Sequence, residues 1–137
     1  MHSNDRAPYS AKVRAHYANP RNVGSIPNPS GKALARSPVD SDTVLITLRI
    51  ENDVIQDVKF KCMGCAVAIA CSSVATELVL GKHVDEARQI TKQMVAEALG
   101  GIPDYKMVCS NLAPEAIRSA IDDWRYRQRA AEKEGQT

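Results

Sequence analysis

Alternating hydrophobic and polar positions in the first half of the chain predict a small β-sheet. Residues 43–50 and 54–61 carry apolar side chains at about every second position, and 51–53 forms a polar turn between them. Such alternation is typical of strands that bury one face. A third strand around 33–40 would lie at the sheet edge, because Pro38 lacks the N–H that a central strand needs. The predicted inward-facing residues are Val44, Ile46, Leu48, Ile50, Val54, Val58 and Phe60.

The other segments predict helices. A short helix over 9–18 begins at the capping residue Ser10 and ends before Pro20, because the residue before a proline avoids the helical conformation. Strands followed by helices indicate the α+β class, here a small antiparallel sheet with helices packed on one face. The later helices are expected from about Cys65 to Leu80, over 84–89, over 92–99 and from 111 to about 131, with an extended loop at 102–106.

The length of 137 residues predicts a single domain, 1–137, whose ends at about 1–8 and 132–137 are expected to be mobile. Hydrophobic residues make up 44% of the chain but aromatic residues only 4%, so the core must be aliphatic. No apolar run approaches the roughly 20 residues of a membrane span. No secretory leader is recognised, and a cytoplasmic protein without a membrane association is expected.

The net charge of +2 argues against a dedicated nucleic-acid-binding protein, and no nucleic-acid partner is expected. The charge is uneven, since residues 1–36 hold six basic residues and one acidic residue. Such an arm either meets an acidic partner or nucleic acid, or is a solvated, mobile end. The second interpretation is preferred, because most charge runs are solvated.

Four cysteines carry the candidate chemistry, in the spacing C-x2-C-x5-C-x37-C: Cys62, Cys65, Cys71 and Cys109. The spacing matches neither a zinc finger nor a small ferredoxin. Without a secretory leader, a disulfide framework is not expected. Grouped cysteines in such a chain indicate metal or sulfur chemistry instead.

Cys65 and Cys109 each precede a predicted helix. A helix amino end carries partial positive charge and free N–H groups, which favour the thiolate that binds metal. Asp40 and Asp42, just before the first long strand, are candidate carboxylate ligands for zinc or iron. Cys62 is either a further ligand or a strand-end residue. Cys71 is expected to be a buried apolar residue, because it lies six positions after Cys65 and points in another direction.

Long stretches of the chain, from residue 9 to about 125, resemble the iron–sulfur cluster assembly scaffolds of the IscU type, shared with the amino-terminal domain of NifU. The matching residues are Tyr9-Ser10, Lys12-Val13, His16-Tyr17, Asn19 to Gly24, Val58 to Lys61, Gly64-Cys65, Ala68 to Ala70, Ser72-Ser73, Thr76-Glu77, Lys106-Met107, Cys109-Ser110, Leu112-Ala113 and Ala116-Ile117.

The resemblance implies a three-stranded antiparallel sheet with helices on one face and the site at one end. It implies a scaffold, not an enzyme, that accepts persulfide sulfur from a cysteine desulfurase, binds iron, holds a transient [2Fe–2S] cluster and passes it to acceptor apoproteins. Zinc is implied as an alternative occupant of the site. Cys109 corresponds to the expected persulfide acceptor, and Cys65 and Asp42 correspond to family ligands.

The chain departs from the family pattern at three places. Asp40 stands where the family has its first cysteine, and Val108 where it has a histidine. The chaperone-recognition loop is altered to Ile102-Pro103-Asp104-Tyr105-Lys106, where only Pro103 and Lys106 survive intact, which puts chaperone delivery in question. Either Cys62 replaces the missing thiolate, or a homodimer bridges the cluster between two chains.

Two other functions compete with the scaffold. Oxygen ligands suit zinc or ferrous iron, so the substitutions at Asp40 and Val108 allow a diverged zinc-binding relative that acts as a regulatory or sulfur-acceptor module on the desulfurase. A weaker alternative is a sulfurtransferase that passes persulfide from Cys109 to another acceptor.

Overall fold

The computed structural model describes residues 9–135 and has the predicted order of strands followed by helices. Three antiparallel strands lie in the order β1-β2-β3. The strands are β1 (Gly31–Arg36), β2 (Thr43–Glu51) and β3 (Val54–Met63). The helices are α1 (Ala11–Ala18), α2 (Ala66–Val79), α3 (Val84–Ala87), α4 (Lys92–Ala98) and α5 (Leu112–Gly135), and a 3-10 helix spans Asp104–Asn111.

The predicted alternation sets which face of the sheet is buried, except at the start of β3. There Ile55 is fully buried and Val54 only partly, because the pairing of β2 with β3 shifts register between Arg49 and Ile50. In β2, Val44, Ile46 and Leu48 are fully buried. Ile46 lies opposite Phe60 of β3 on one side and Ala33 of β1 on the other, so the inward residues of the three strands form one apolar surface. Strand β1, which corresponds to the strand predicted around 33–40, is an edge strand, as predicted, and it ends before Pro38.

Helices α2 and α5 share one continuous apolar core with that surface, which confirms the α+β class with helices on the sheet. Helix α2 approaches closely because its buried residues include small side chains. Helix α5 buries a stripe that recurs every three or four residues, the spacing of one helix face. The stripe consists of Leu112, Ala116, Ile117, Ala120, Ile121 and Trp124.

The segment that follows α1 is fixed to α2 by polar side chains. The Ser73 hydroxyl shares a hydrogen bond of 2.7 Å with Nδ1 of His16 and accepts one of 2.8 Å from the backbone N–H of Arg21. One turn further on, Asn22 donates to the hydroxyl of Thr76. Much of the amino-terminal signature therefore has a structural role, because it satisfies buried hydroxyls of α2.

The connection before α5 differs from the prediction. Residues 102–106 were expected to be extended, but the 3-10 helix begins at Asp104, after Pro103 at its cap position. Helix α5 starts at Leu112 and continues to Gly135, beyond the predicted end near 131, although part of that tail was expected to be mobile. The predicted mobile residues 1–8, and residues 136–137, lie outside the described part of the chain.

Across residues 9–135, every helix is too short or too polar to cross a lipid bilayer.

Candidate functional site

Three of the predicted site residues meet at one end of the sheet. A carboxylate oxygen of Asp42 and the sulfur atoms of Cys65 and Cys109 all lie within 4.8 Å of one another. The two sulfur atoms are 3.7 Å apart. These residues are 23 and 44 positions apart along the chain, so the fold alone brings them together.

The strand register explains how Asp42 and Cys65 meet. Thr43, at the start of β2, pairs with Met63, at the end of β3. The residues just outside this pair, Asp42 and Gly64, are therefore neighbours. Cys65 follows as the cap residue of α2, and its backbone N–H points to a carboxylate oxygen of Asp42 at 3.5 Å.

Gly64 allows this close approach. A Cβ atom at Gly64 would lie 2.8 Å from Cγ and 2.9 Å from Oδ2 of Asp42. Atoms this close repel strongly, and here one of them belongs to a candidate metal ligand. Glycine at position 64 thus leaves room for the carboxylate to lie over the start of α2.

We expect Gly64→Ala to reduce zinc affinity by about tenfold, because the added methyl group displaces the Asp42 carboxylate, an effect of the size seen when supporting residues of metal sites are changed. The measurement is a competition titration against a chromophoric zinc chelator. Asp40→Asn is the matched control and should bind zinc as the unaltered chain does. Unchanged affinity in a folded Gly64→Ala variant would contradict the positioning role of Gly64.

The protonation of Cys109 differs from the prediction. We expected helix amino ends to favour the thiolates, but Cys109 lies inside the 3-10 helix and is only 3% exposed. Burial is the main cause that raises the pKa of the Cys109 thiol to about 12. The charge of Cys65 and its hydrogen bond to Cys109 act in the same direction, and the Lys106 ammonium acts against them. A metal that binds Cys109 therefore has to displace the proton of its thiol.

Lys106 has a place in the site that sequence reasoning missed. The pKa of its ammonium is raised, first by the negative charge that Cys65 contributes and more weakly by that of Tyr9 and Cys109. Side chains three positions apart align in a 3-10 helix, which puts Lys106 on the same side as Cys109. A helical prediction for this segment would have placed Lys106 beside Cys109, because the two residues are three positions apart.

Two of the other predicted site residues lie outside the cluster. Asp40 is exposed, and its Oδ1 accepts a hydrogen bond of 2.9 Å from the backbone N–H of Asp42, so it fixes the loop. Cys62 is partly buried near the end of β3. Burial raises the pKa of its thiol to about 11, against the lowering effect of a hydrogen bond with Ser72. Cys71 is fully buried, as predicted.

The connection from Ile102 to Val108 lies partly against the hydrophobic core and partly beside the site. Ile102 and Val108 are partly buried against the hydrophobic core, so Val108 has a packing role where the resemblance implied a histidine ligand. Pro103 caps the 3-10 helix. Tyr105, between these residues, is 71% exposed and presents an aromatic ring to solvent next to the site.

The donor set suits a borderline or soft metal. Two thiolates and one carboxylate are ligands that zinc and iron accept, and three protein ligands leave a fourth position open. Among residues 9–135, the group of Asp42, Cys65 and Cys109 is the one that the geometry identifies as able to hold a metal ion. This end of the sheet is therefore the candidate metal and sulfur site.

Comparisons with known proteins point to one family. The family model described as "NifU-like N terminal domain" matches residues 8–131. "Iron-sulfur cluster assembly scaffold protein IscU 1" of Archaeoglobus fulgidus is 50% identical over 116 residues, covering 85% of this chain and 76% of that protein. The scaffold protein IscU of Escherichia coli is 41% identical over 126 residues, covering 89% of this chain and 98% of that protein.

A solved structure shares the fold. The amino-terminal part of a nitrogen-fixing NifU-like protein from Brucella abortus superposes with a TM-score of 0.73 over 91% of this chain and 99% of that one. The two sequences are 22% identical, so this likeness concerns the fold alone.

Proposed function

Because the chain belongs to the NifU-like N-terminal domain family, we propose that it is an iron–sulfur cluster assembly scaffold and not an enzyme. Relatives at 50% and 41% identity carry that name. The observation that carries the proposal is the convergence of two thiols and a carboxylate, Cys65, Cys109 and Asp42, within 4.8 Å at the end of the sheet. Iron and sulfide are the cargo of such a site.

We propose a transient [2Fe–2S] cluster as the assembled product. Two iron atoms, each with two terminal ligands, need four protein donors, and one chain brings three together. The fourth donor is either Cys62, which lies partly buried near the end of β3, or a residue of a second copy in a homodimer. With three donors and an open position, a single chain can also hold zinc or ferrous iron before assembly.

Sulfur enters, in this proposal, as a persulfide on Cys109 from a cysteine desulfurase. The exposed Tyr105 and the Ile102-Pro103 segment lie on the same connection as Cys109 and give a partner a surface beside the sulfur. Acceptor apoproteins then receive the cluster. Chaperone recognition would use the same loop, in which the negative charge of Cys65 raises the pKa of the Lys106 ammonium. The cytoplasmic location remains a prediction.

The comparisons favour this scaffold over the zinc-binding regulatory module and over the sulfurtransferase. A relative from Aquifex aeolicus, 42% identical over 91% of this chain, also carries the scaffold name. Zinc in the site is accordingly proposed as a resting occupant.

The test is anaerobic reconstitution with ferrous iron and sulfide, followed by analysis of iron, zinc and acid-labile sulfide and by transfer to an apo-ferredoxin. We expect iron and sulfide in equal amounts, visible charge-transfer bands and transfer of the cluster. The Cys62→Ser variant distinguishes the two sources of the fourth donor, since the cluster survives in it only if a second chain supplies that ligand. Zinc that persists, with no sulfide bound, would contradict the scaffold function.

A further inference from the structure

The two sulfur atoms of the site lie in van der Waals contact. Cys65 Sγ is 3.7 Å from Cys109 Sγ, close to the contact distance of two sulfur atoms. A disulfide has an S–S length of about 2.05 Å, so the two sulfur atoms need to approach by less than 2 Å to form one. Of the other two cysteines, Cys62 lies outside the cluster and Cys71 is fully buried.

From this contact we propose that Cys65 resolves a persulfide on Cys109 and releases its outer sulfur as sulfide, so that the Cys65 thiolate supplies the electron pair of the release step. The proposal rests on the proposed function, because it requires Cys109 to accept sulfur. It gives Cys65 a second role besides that of a metal ligand. The chain would then supply sulfide directly at the place where iron binds.

The step balances in atoms and electrons. The Cys65 thiolate attacks the inner sulfur, Cys109 Sγ, and forms the Cys65–Cys109 bond. The bond between Cys109 Sγ and the outer sulfur breaks, and its electron pair leaves with that sulfur as hydrosulfide. The outer sulfur is reduced and the Cys65 sulfur is oxidised, so the products are one sulfide and one disulfide. A later dithiol reductant restores the two thiols for metal binding.

Burial favours attack on the inner sulfur. Attack on the outer sulfur would move the persulfide to Cys65 and leave Cys109 as an anion, and that residue is only 3% exposed. An unpaired buried anion is costly. Attack on the inner sulfur expels hydrosulfide, a small anion, and leaves Cys109 Sγ in a neutral disulfide, so no anion remains on the buried residue. The rate of thiol–disulfide exchange depends on which sulfur is attacked and on the leaving group.

The experiment uses the full chain, stripped of metal with a chelator under anaerobic conditions. A purified cysteine desulfurase with L-cysteine loads it in the absence of added thiols, and rapid desalting removes unreacted cysteine and sulfide. Intact mass, peptide mapping and released sulfide are then followed over time. The variants are Cys65→Ser, Cys109→Ser and Cys71→Ala, and circular dichroism confirms that each is folded.

We expect the unaltered chain to gain one sulfur atom at Cys109, then to lose it as one sulfide per chain while a Cys65–Cys109 disulfide forms. Cys71→Ala should behave in the same way, because Cys71 is a core residue. In Cys65→Ser the persulfide on Cys109 should persist at least about tenfold longer and yield no sulfide, since the attacking thiol is missing.

Failure of the proposed sulfur-acceptor function and failure of the resolution step give different results. If no variant with Cys109 intact gains sulfur at that residue, the proposed sulfur-acceptor function fails, and the resolution step with it. If Cys109 gains sulfur but the persulfide decays equally in the unaltered chain and in Cys65→Ser, the resolution step alone is overturned. Movement of the sulfur to Cys65, or a disulfide that maps to Cys62 or Cys71, overturns it as well.

Discussion

Cys109→Ser is expected to weaken zinc binding by about a thousandfold. Structural zinc sites contribute roughly 10–16 kcal/mol of binding free energy, and the cluster of Asp42, Cys65 and Cys109 supplies three ligands. Loss of one of them removes about a third of that free energy, or roughly 4 kcal/mol, which corresponds to about a thousandfold in the dissociation constant. The serine hydroxyl is a poor replacement, because it stays protonated near neutral pH.

Chelator competition at neutral pH measures this change, with Cys62→Ser as the matched control. Cys62 is also a partly buried thiol at the same end of the sheet, but it lies outside the cluster. Its replacement should leave the affinity for a single zinc ion within about threefold of the original, as expected for a residue outside the group of Asp42, Cys65 and Cys109. Equal losses in the two variants would show that the zinc ligands are not the three residues that the structure brings together.

Gly31→Ala is expected to lower the free energy of unfolding by about 3 kcal/mol, at the upper end of overpacking effects. Gly31 begins β1 and lies directly against α5. A Cβ atom there would be 2.2 Å from the backbone oxygen of Ala120 and 3.0 Å from Cβ of Trp124. The contacting atoms are a backbone oxygen and a Cβ atom, and neither can move away by a side-chain rotation. Helix α5 therefore has to shift away from β1.

Urea denaturation followed by circular dichroism measures the loss of stability. Gly135→Ala is the control, because a Cβ atom at Gly135 meets nothing within 4 Å. It should leave stability unchanged or raise it slightly. The folded fraction of Gly31→Ala should still bind zinc, since Gly31 lies outside the metal cluster. If both glycine variants had the same stability, the close packing of β1 on α5 would not be as described.

The sheet was predictable because strand patterning is a local property. Each residue of β2 faces either the core or the other side, and the sequence of apolar residues from Val44 to Ile50 reports that choice directly. Glycine and proline marked the ends of the elements for equally local reasons. The same reasoning placed Cys71 in the core and Cys65 at the start of a helix, and the structure has them there.

The segment from Asp104 to Asn111 was not predictable in this way. Its residues follow no clear hydrophobic period, and it forms a 3-10 helix held between α2, α4 and α5. Because the sequence does not predict the 3-10 helix, Lys106 is assigned only to the partner loop, although the negative charge of Cys65 raises the pKa of its ammonium. The same error made Cys109 a helix-end thiolate, whereas burial raises the pKa of its thiol.

The sequence by itself determined the order of the elements, the buried face of the sheet and, through the resemblance, the family of the chain. The tertiary structure decided which donors meet. Asp40 and Asp42 are both candidate carboxylate ligands by sequence, yet the pairing of Thr43 with Met63 brings only Asp42 to Cys65, while Asp40 bonds to the loop backbone. Patterning depends on neighbouring residues along the chain, but a metal site depends on distances of a few ångströms between distant residues. Only the packed fold sets those distances.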